Sequence, residues 1–282
     1  MKELWTKIKD WWLNTATWWQ QPLIIIAAAV VIILMICFLW KLILPLLTIA
    51  AFFGWPLILV AIDRREKAKR KATYYNSSYY AVTHNEYDDV RRDAGKLQEY
   101  QISQLLVPYE QAGAKLLFNA YIPKKEGTTE IDVLMISSYG LFVFESKNYS
   151  GWIFGNSRSQ QWTQTLRTGR YSSHKEHFYN PIKQNSTHIY YLKKLLPRDI
   201  PTQSIIVFSD RCEFMDVDTE DADADVIYLS QVTHPVRYAY ERQPVQLTPD
   251  EIQDIYDIIY PYTQVSEEVK QAHIWQIEQM HR

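Results

Sequence analysis

The chain is poor in the residues and motifs that would settle its chemistry outright. It has two cysteines in 282 residues, Cys37 inside an apolar run and Cys212 far downstream, so no disulfide framework is expected and nothing argues for an oxidising compartment. It contains no GxSxG, no P-loop and no Rossmann glycine fingerprint, which leaves acyl transfer and nucleotide hydrolysis without support. It also lacks a strong net charge. The formal value is −2, unevenly spread: residues 1–71 carry ten Lys and Arg against four Asp and Glu, and residues 72–282 carry 20 against 28. That acidic balance argues against a large, uniformly basic nucleic-acid surface, while a local basic groove stays open. The length allows one or two domains with an ample core.

What the sequence has in abundance comes first in the chain. Residues 1–21 combine Lys2, Lys7 and Lys9 with Trp5, Trp11, Trp12, Trp18 and Trp19, the mixture a membrane interface favours, and read as an interfacial amphipathic segment. A cleavable signal peptide would need a shorter apolar run, beginning earlier. From Leu23 to Ile62 the chain is almost wholly apolar, broken by Lys41, Pro45, Thr48, Gly54 and Pro56. As one helix this stretch would measure about 60 Å, twice the hydrocarbon thickness of a bilayer. The expectation is therefore a transmembrane hairpin over 22–62, with spans Leu23–Trp40 and Leu46–Ile62 and a reversal at Lys41–Pro45. Neither half has a polar face, which opposes a soluble helical hairpin. Residues 63–71 then place six basic residues against two acidic ones. By the positive-inside rule both ends of the hairpin face the cytosol, which makes a multi-pass protein of the cytoplasmic (inner) membrane with both termini inside. A single span would put one terminus outside. The basic run suits lipid headgroups, with nucleic acid as an alternative partner.

Residues 63–93 read as basic flank and tyrosine-rich linker. Asp93 caps a predicted helix reaching about Val107, and Lys115–Ile122 reads as a first strand. Two apolar, β-branched runs, Ile131–Ser137 and Leu141–Glu145, are separated by Ser138-Tyr139-Gly140 and predict a β-hairpin. Asp132 sits early in its first strand, and Glu145 and Lys147 close the second on one face. Two carboxylates and an amine can converge there. This is the set that metal-dependent phosphodiester cleavage needs: hard oxygen ligands for Mg²⁺ or Mn²⁺, and a fixed cation near the attacking water and the phosphate charge. An exposed cross-strand charge pair is the plain alternative, opposed by Leu141 and Val143 on the same face.

The pattern Asp132, then Glu145-Ser146-Lys147, resembles the metal-binding core of the PD-(D/E)XK nuclease superfamily. The wider segment resembles its nuclease-related domain (NERD) family through Gly95 and Glu99 in AGKLQEYQI, EIDVLMIS, GLFVFESKNYSGWIFG, Trp162, and Asn180-Pro181 with Gln184 in NPIKQ. The resemblance implies a restriction-endonuclease-like α/β fold, a mixed sheet flanked by helices in the order α-β-β-β-α-β, as a nuclease domain over 94–240 followed by C-terminal helices over 241–282. It implies Asp132 and Glu145 as ligands of Mg²⁺ or Mn²⁺, with Glu99 joining them, and Lys147 and Gln184 acting on water or phosphate. A helix glutamate is by default solvated, so Glu99 depends on the resemblance; Gln98 stands where many relatives have glycine. The implied activity is a membrane-anchored, cytosol-facing hydrolase of nucleic acid, DNA before RNA. Two rivals stand beside it: a catalytically silent nuclease fold serving as a tethered binding or signalling module, and a membrane scaffold protein.

The remaining stretches are plainer. An extra hairpin is expected over Gly151–Gly155 and Gln161–Leu166, and a helix from Asn180-Pro181 to Leu196 on which His188 reads as a surface residue. Ser204–Ser209 and Asp225–Ser230 read as buried strands, Glu213–Asp225 as a solvated acidic loop, and Thr248-Pro249-Asp250-Glu251 as the start of two terminal helices. His174 and His177, three apart, would share a helix face but lack a second ligand pair for zinc.

Overall fold

The apolar run does not fold back on itself. The computed structural model, which describes residues 2–14, 20–169 and 172–280, carries it as one continuous helix, α2 (Gln20–Tyr75), after α1 (Lys2–Asn14). The expected reversal at Lys41–Pro45 is thus corrected, and with it the multi-pass topology that put both termini in the cytosol. The physical reason is local. Pro45 removes one backbone donor, but Leu42, Ile43 and Leu44 before it and Leu46 and Leu47 after it offer no left-handed stop, and the Thr48 hydroxyl donates to the Pro45 carbonyl at 2.8 Å. By length and composition α2 could cross a membrane. Leu4, Trp5 and Ile8 of α1 are exposed; the Trp18–Trp19 pair lies outside the described residues.

The chain divides into two units, Met1–Arg70 and Lys71–Arg282. In the second, the stretch expected as a linker is built into the core. Tyr74 and Tyr79 are fully buried, the latter on α3 (Ser78–Thr83), and their rings pack with those of Tyr80, Tyr87, Tyr100 and Phe118 at centroid distances of 4.9–6.3 Å. Tyrosine can fill a core where its hydroxyl finds an acceptor, as Tyr74 does at the Asn85 carbonyl, 2.6 Å away. After α4 (Tyr87–Arg92), Asp93 caps α5 (Ala94–Gln111) by accepting from the Gly95 and Lys96 amides.

The first sheet holds β1 (Lys115–Pro123), β2 (Thr128–Ser137), β3 (Gly140–Lys147), β7 (Thr202–Phe208) and β9 (Asp225–Tyr228) in the order β1-β2-β3-β7-β9. The first three are antiparallel; β7 and β9 join in parallel. Gly140 turns the β2–β3 hairpin at φ +118°, where a Cβ would lie 2.4 Å from the Pro201 carbonyl oxygen, so only glycine fits. With α6 (Pro181–Leu195), capped by Asn180, the core runs α5-β1-β2-β3-α6-β7, the expected order.

A second sheet, order β6-β5-β4-β8, is formed by β4 (Gly151–Asn156), β5 (Gln161–Arg167), β6 (Ser173–Tyr179) and β8 (Cys212–Asp218). The expected β4–β5 hairpin is there. Two stretches differ from expectation: His174 and His177 sit on a strand, where residues three apart face opposite ways, and the acidic stretch begins as β8, an edge strand whose exposed positions tolerate charge. Trp162 stacks on Phe208 with centroids 5.8 Å apart, and a Cβ on Gly155 would meet the Trp162 ring at 2.3 Å. Buried Asn180 donates to the carbonyls of Asn156, Ser157 and Ser159. Helices α7 (Thr233–Arg242), α8 (Pro249–Ile259), with its Thr248–Glu251 capping box, and α9 (Glu267–Met280) complete the unit.

Candidate functional site

Strand β3 carries Glu145 and Lys147 at its C-terminal end, hydrogen-bonded along both edges to β2 and β7. Alternation sends Val143, Glu145 and Lys147 to one face. Helix α6 covers that face: Asn185 donates to the Val143 carbonyl and the Ser204 hydroxyl, each at 2.9 Å. One turn of α6 therefore meets the sheet with polar groups. Gln184 Oε1 accepts from Lys147 Nζ at 3.0 Å, and His188 Nε2 stands 2.9 Å from Glu145 Oε2. Lys147 Nζ also lies 2.7 Å from Glu145 Oε1.

The β2–β3 ladder ends at Val133 and Phe144. Beyond it the Asp132 side chain takes over, Oδ2 accepting from the Ser146 amide at 2.7 Å, which brings Asp132 beside the Glu145–Lys147 end. Glu99, on α5, is 8% exposed rather than solvated; its Oε2 accepts from the Tyr79 hydroxyl and from Asn119 Nδ2, each at 3.0 Å. Asn119 adopts φ +50°, a conformation asparagine tolerates better than most residues. Gln98 is fully buried and donates to the Val207 carbonyl at 2.8 Å, so it ties α5 to β7.

The charges interact through low-dielectric space. Burial alone would raise the Glu145 carboxyl, but Lys147 and the His188 hydrogen bond outweigh it and hold it below the ordinary value. Burial works against the Lys147 ammonium, yet Glu145 and Asp132 raise its pKa above the usual lysine value. Asp132 goes the other way from Glu145: burial, then repulsion from Glu145, Glu99 and Glu130, push it well above the aspartate range, with Lys147 opposing. Burial also carries Glu99 up to about 7, against the hydrogen bond from Asn119. Glu130 is raised by burial as well.

All five sequence-predicted residues fall in this one region. Lys147, Glu145 and Gln184 touch directly, Asp132 reaches the Ser146 backbone between Glu145 and Lys147, and Glu99 acts on Asp132 as a neighbouring charge. Sequence reasoning missed Glu130, Tyr79, Asn119 and the buried role of His188. The four-residue spacing of Gln184 and His188 was the available signal for the last, since it places both on one helix face.

Among the described residues no group of three His, Cys, Asp or Glu is disposed to hold a metal ion in the geometry shown. The donor chemistry nonetheless suits a hard divalent cation. Four carboxylates, Glu99, Glu130, Asp132 and Glu145, lie in a largely buried region with Lys147 among them, and burial first, then their mutual repulsion, raises Asp132 and Glu99.

Residues 94–209 match the family model of the nuclease-related domain (NERD), so the chain carries such a domain from the first residues of α5 to just past β7. An uncharacterized protein of Bacillus anthracis is 29% identical over 181 residues, which is 64% of this chain and 82% of that protein. No solved structure matches.

Proposed function

We propose that the chain is a membrane-anchored nuclease that hydrolyses phosphodiester bonds with a divalent metal, within the PD-(D/E)XK superfamily. The observation that carries this reading is the meeting of Asp132, Glu145, Lys147 and Gln184 at the splayed end of β2 and β3, inside the stretch that matches the nuclease-related domain. Asp132 and Glu145, with Glu99, would hold Mg²⁺ or Mn²⁺. Such an ion supplies Lewis-acid polarisation of phosphoryl oxygen and lowers the pKa of water.

The protein's own groups divide the remaining work. Lys147, with its pKa raised, stays protonated at neutral pH, so it serves as a fixed positive charge and hydrogen-bond donor rather than as a base. Gln184 anchors the ammonium from the helix side, and its own amide N–H groups remain to orient water or a phosphate oxygen. Glu145, held ionised, keeps the ammonium in place. The substrate is nucleic acid, DNA before RNA.

The anchor rests on α2 and on the basic stretch of residues 63–71, which favours the cytosolic side for the domain that follows; α1, with exposed Leu4, Trp5 and Ile8 beside lysines, suits the lipid interface. A silent binding module is the second reading, favoured by the engagement of both Glu145 oxygens and by the lack, among the described residues, of a group of three His, Cys, Asp or Glu disposed to hold a metal ion. The discriminating experiment uses the full chain in detergent with Mg²⁺ or Mn²⁺ on DNA and RNA. The nuclease reading expects cleavage that Lys147→Ala slows by about 100-fold or more. Equal rates in the two proteins would leave the silent module.

A further inference from the structure

We infer that Thr129 and His188 form a relay that sets the orientation of the Glu145 carboxylate for a divalent cation, His188 acting as a positioning residue. The inference rests on the metal-dependent reading above and deepens it. His188 is 5% exposed and bridged at both ring nitrogens: Nε2 to Glu145 Oε2 at 2.9 Å, and Nδ1 to Thr129 Oγ1 at 2.6 Å. An ionised carboxylate can only accept, so the proton on Nε2 points at Glu145; the Thr129 hydroxyl, free to rotate, serves whichever role Nδ1 leaves to it.

The geometry does more than satisfy a core histidine. Glu145 is gripped from two elements at once, Oε1 by Lys147 of its own strand and Oε2 by His188 of α6, which fixes rotation about its last carbon–carbon bond. Each oxygen has two lone pairs, so a carboxylate holding one donor on each still has one lone pair per oxygen to offer. Thr129 lies on β2, the strand that carries Asp132. The relay therefore couples the positions of the two carboxylate-bearing strands through a single ring. Carboxylates that bind metal are commonly held by such outer hydrogen bonds, and loss of one typically weakens the metal about 10- to 100-fold.

The test is Mn²⁺ binding by calorimetry to the detergent-solubilised full chain, with melting temperatures in EDTA recorded alongside. His188→Leu should weaken Mn²⁺ by about 10-fold or more. His188→Gln, whose amide can both donate to Glu145 and accept from Thr129, should recover affinity to within about 3-fold of wild type. Thr129→Val should weaken binding by a smaller factor and add nothing on top of His188→Leu, the signature of one relay. A purely structural histidine would lower the melting temperature in EDTA and leave Mn²⁺ affinity alone. That outcome, or tighter binding in His188→Leu, refutes the relay while the metal site stands. If His188→Leu does not fold, Thr129→Val and His188→Gln decide on the same readouts. Absence of Mn²⁺ binding in the wild type overturns the metal-dependent reading itself, and the relay with it.

Discussion

Replacing Glu99 by glutamine should make the metal-free protein more stable, and only above a definable pH. Glu99 is buried, and its pKa rises from 4.5 to about 7 on folding, burial being the main cause. The unfolded chain thus gives up this proton near 4.5 and the folded protein near 7. Between those values the folded state binds more protons than the unfolded one, so stability falls as the pH rises through the window. Below it both states are neutral at this residue and the cost disappears. Above it the cost is complete, about 3 kcal/mol at about 1.4 kcal/mol per pH unit. Glutamine carries no charge at any pH and its amide oxygen can still accept from Tyr79 and Asn119. In EDTA, Glu99→Gln should melt roughly 6–12 °C above wild type at pH 8, with a much smaller difference at pH 5. Thermal unfolding followed by near-ultraviolet circular dichroism reads this directly. A variant no more stable than wild type at pH 8, or more stable by the same margin at both values, would refute the reasoning.

Two further predictions concern the second sheet. Gly155→Ala places a Cβ 2.3 Å from the Trp162 ring and should cost about 1–3 kcal/mol through forced displacement, seen as a lower urea midpoint with altered Trp162 fluorescence. Asn180→Ala removes the cap of α6 and three bonds to the carbonyls of residues 156–159; a loss of about 2–3 kcal/mol is expected, and hydrogen exchange should quicken at the Ile182 amide.

The hairpin that carries the site was legible because its signals are local: apolar runs, a glycine where φ is positive, and acids at the strand end. The caps at Asp93, Asn180 and Thr248 were legible for the same reason. Burial of charge was not. Nothing in AGKLQEYQI distinguishes a solvated Glu99 from one held by Tyr79 and Asn119, because both partners come from elsewhere in the chain. His188 was misplaced on the surface since its two partners lie 43 and 59 residues away. Strand β8 escaped notice because an edge strand with exposed positions does not need an apolar pattern. In α2, Lys41 and Pro45 looked like a turn, but the leucines that flank Pro45 are sound helix formers and no glycine or asparagine stands there to take the left-handed stop.

The order in which β3 finds its neighbours bears on when the protein acquires its chemistry. β3 pairs with β2 across a two-residue turn, but its other edge waits for β7, and α6 must arrive before Lys147 and Glu145 have their partners. Contacts that bridge long stretches of chain form late. A growing polypeptide therefore makes α2 first and completes the cluster of carboxylates only after residue 188 has emerged and docked. Until then the site exists as scattered, hydrated side chains, and Glu145 and Lys147 lack the partners that α6 brings them.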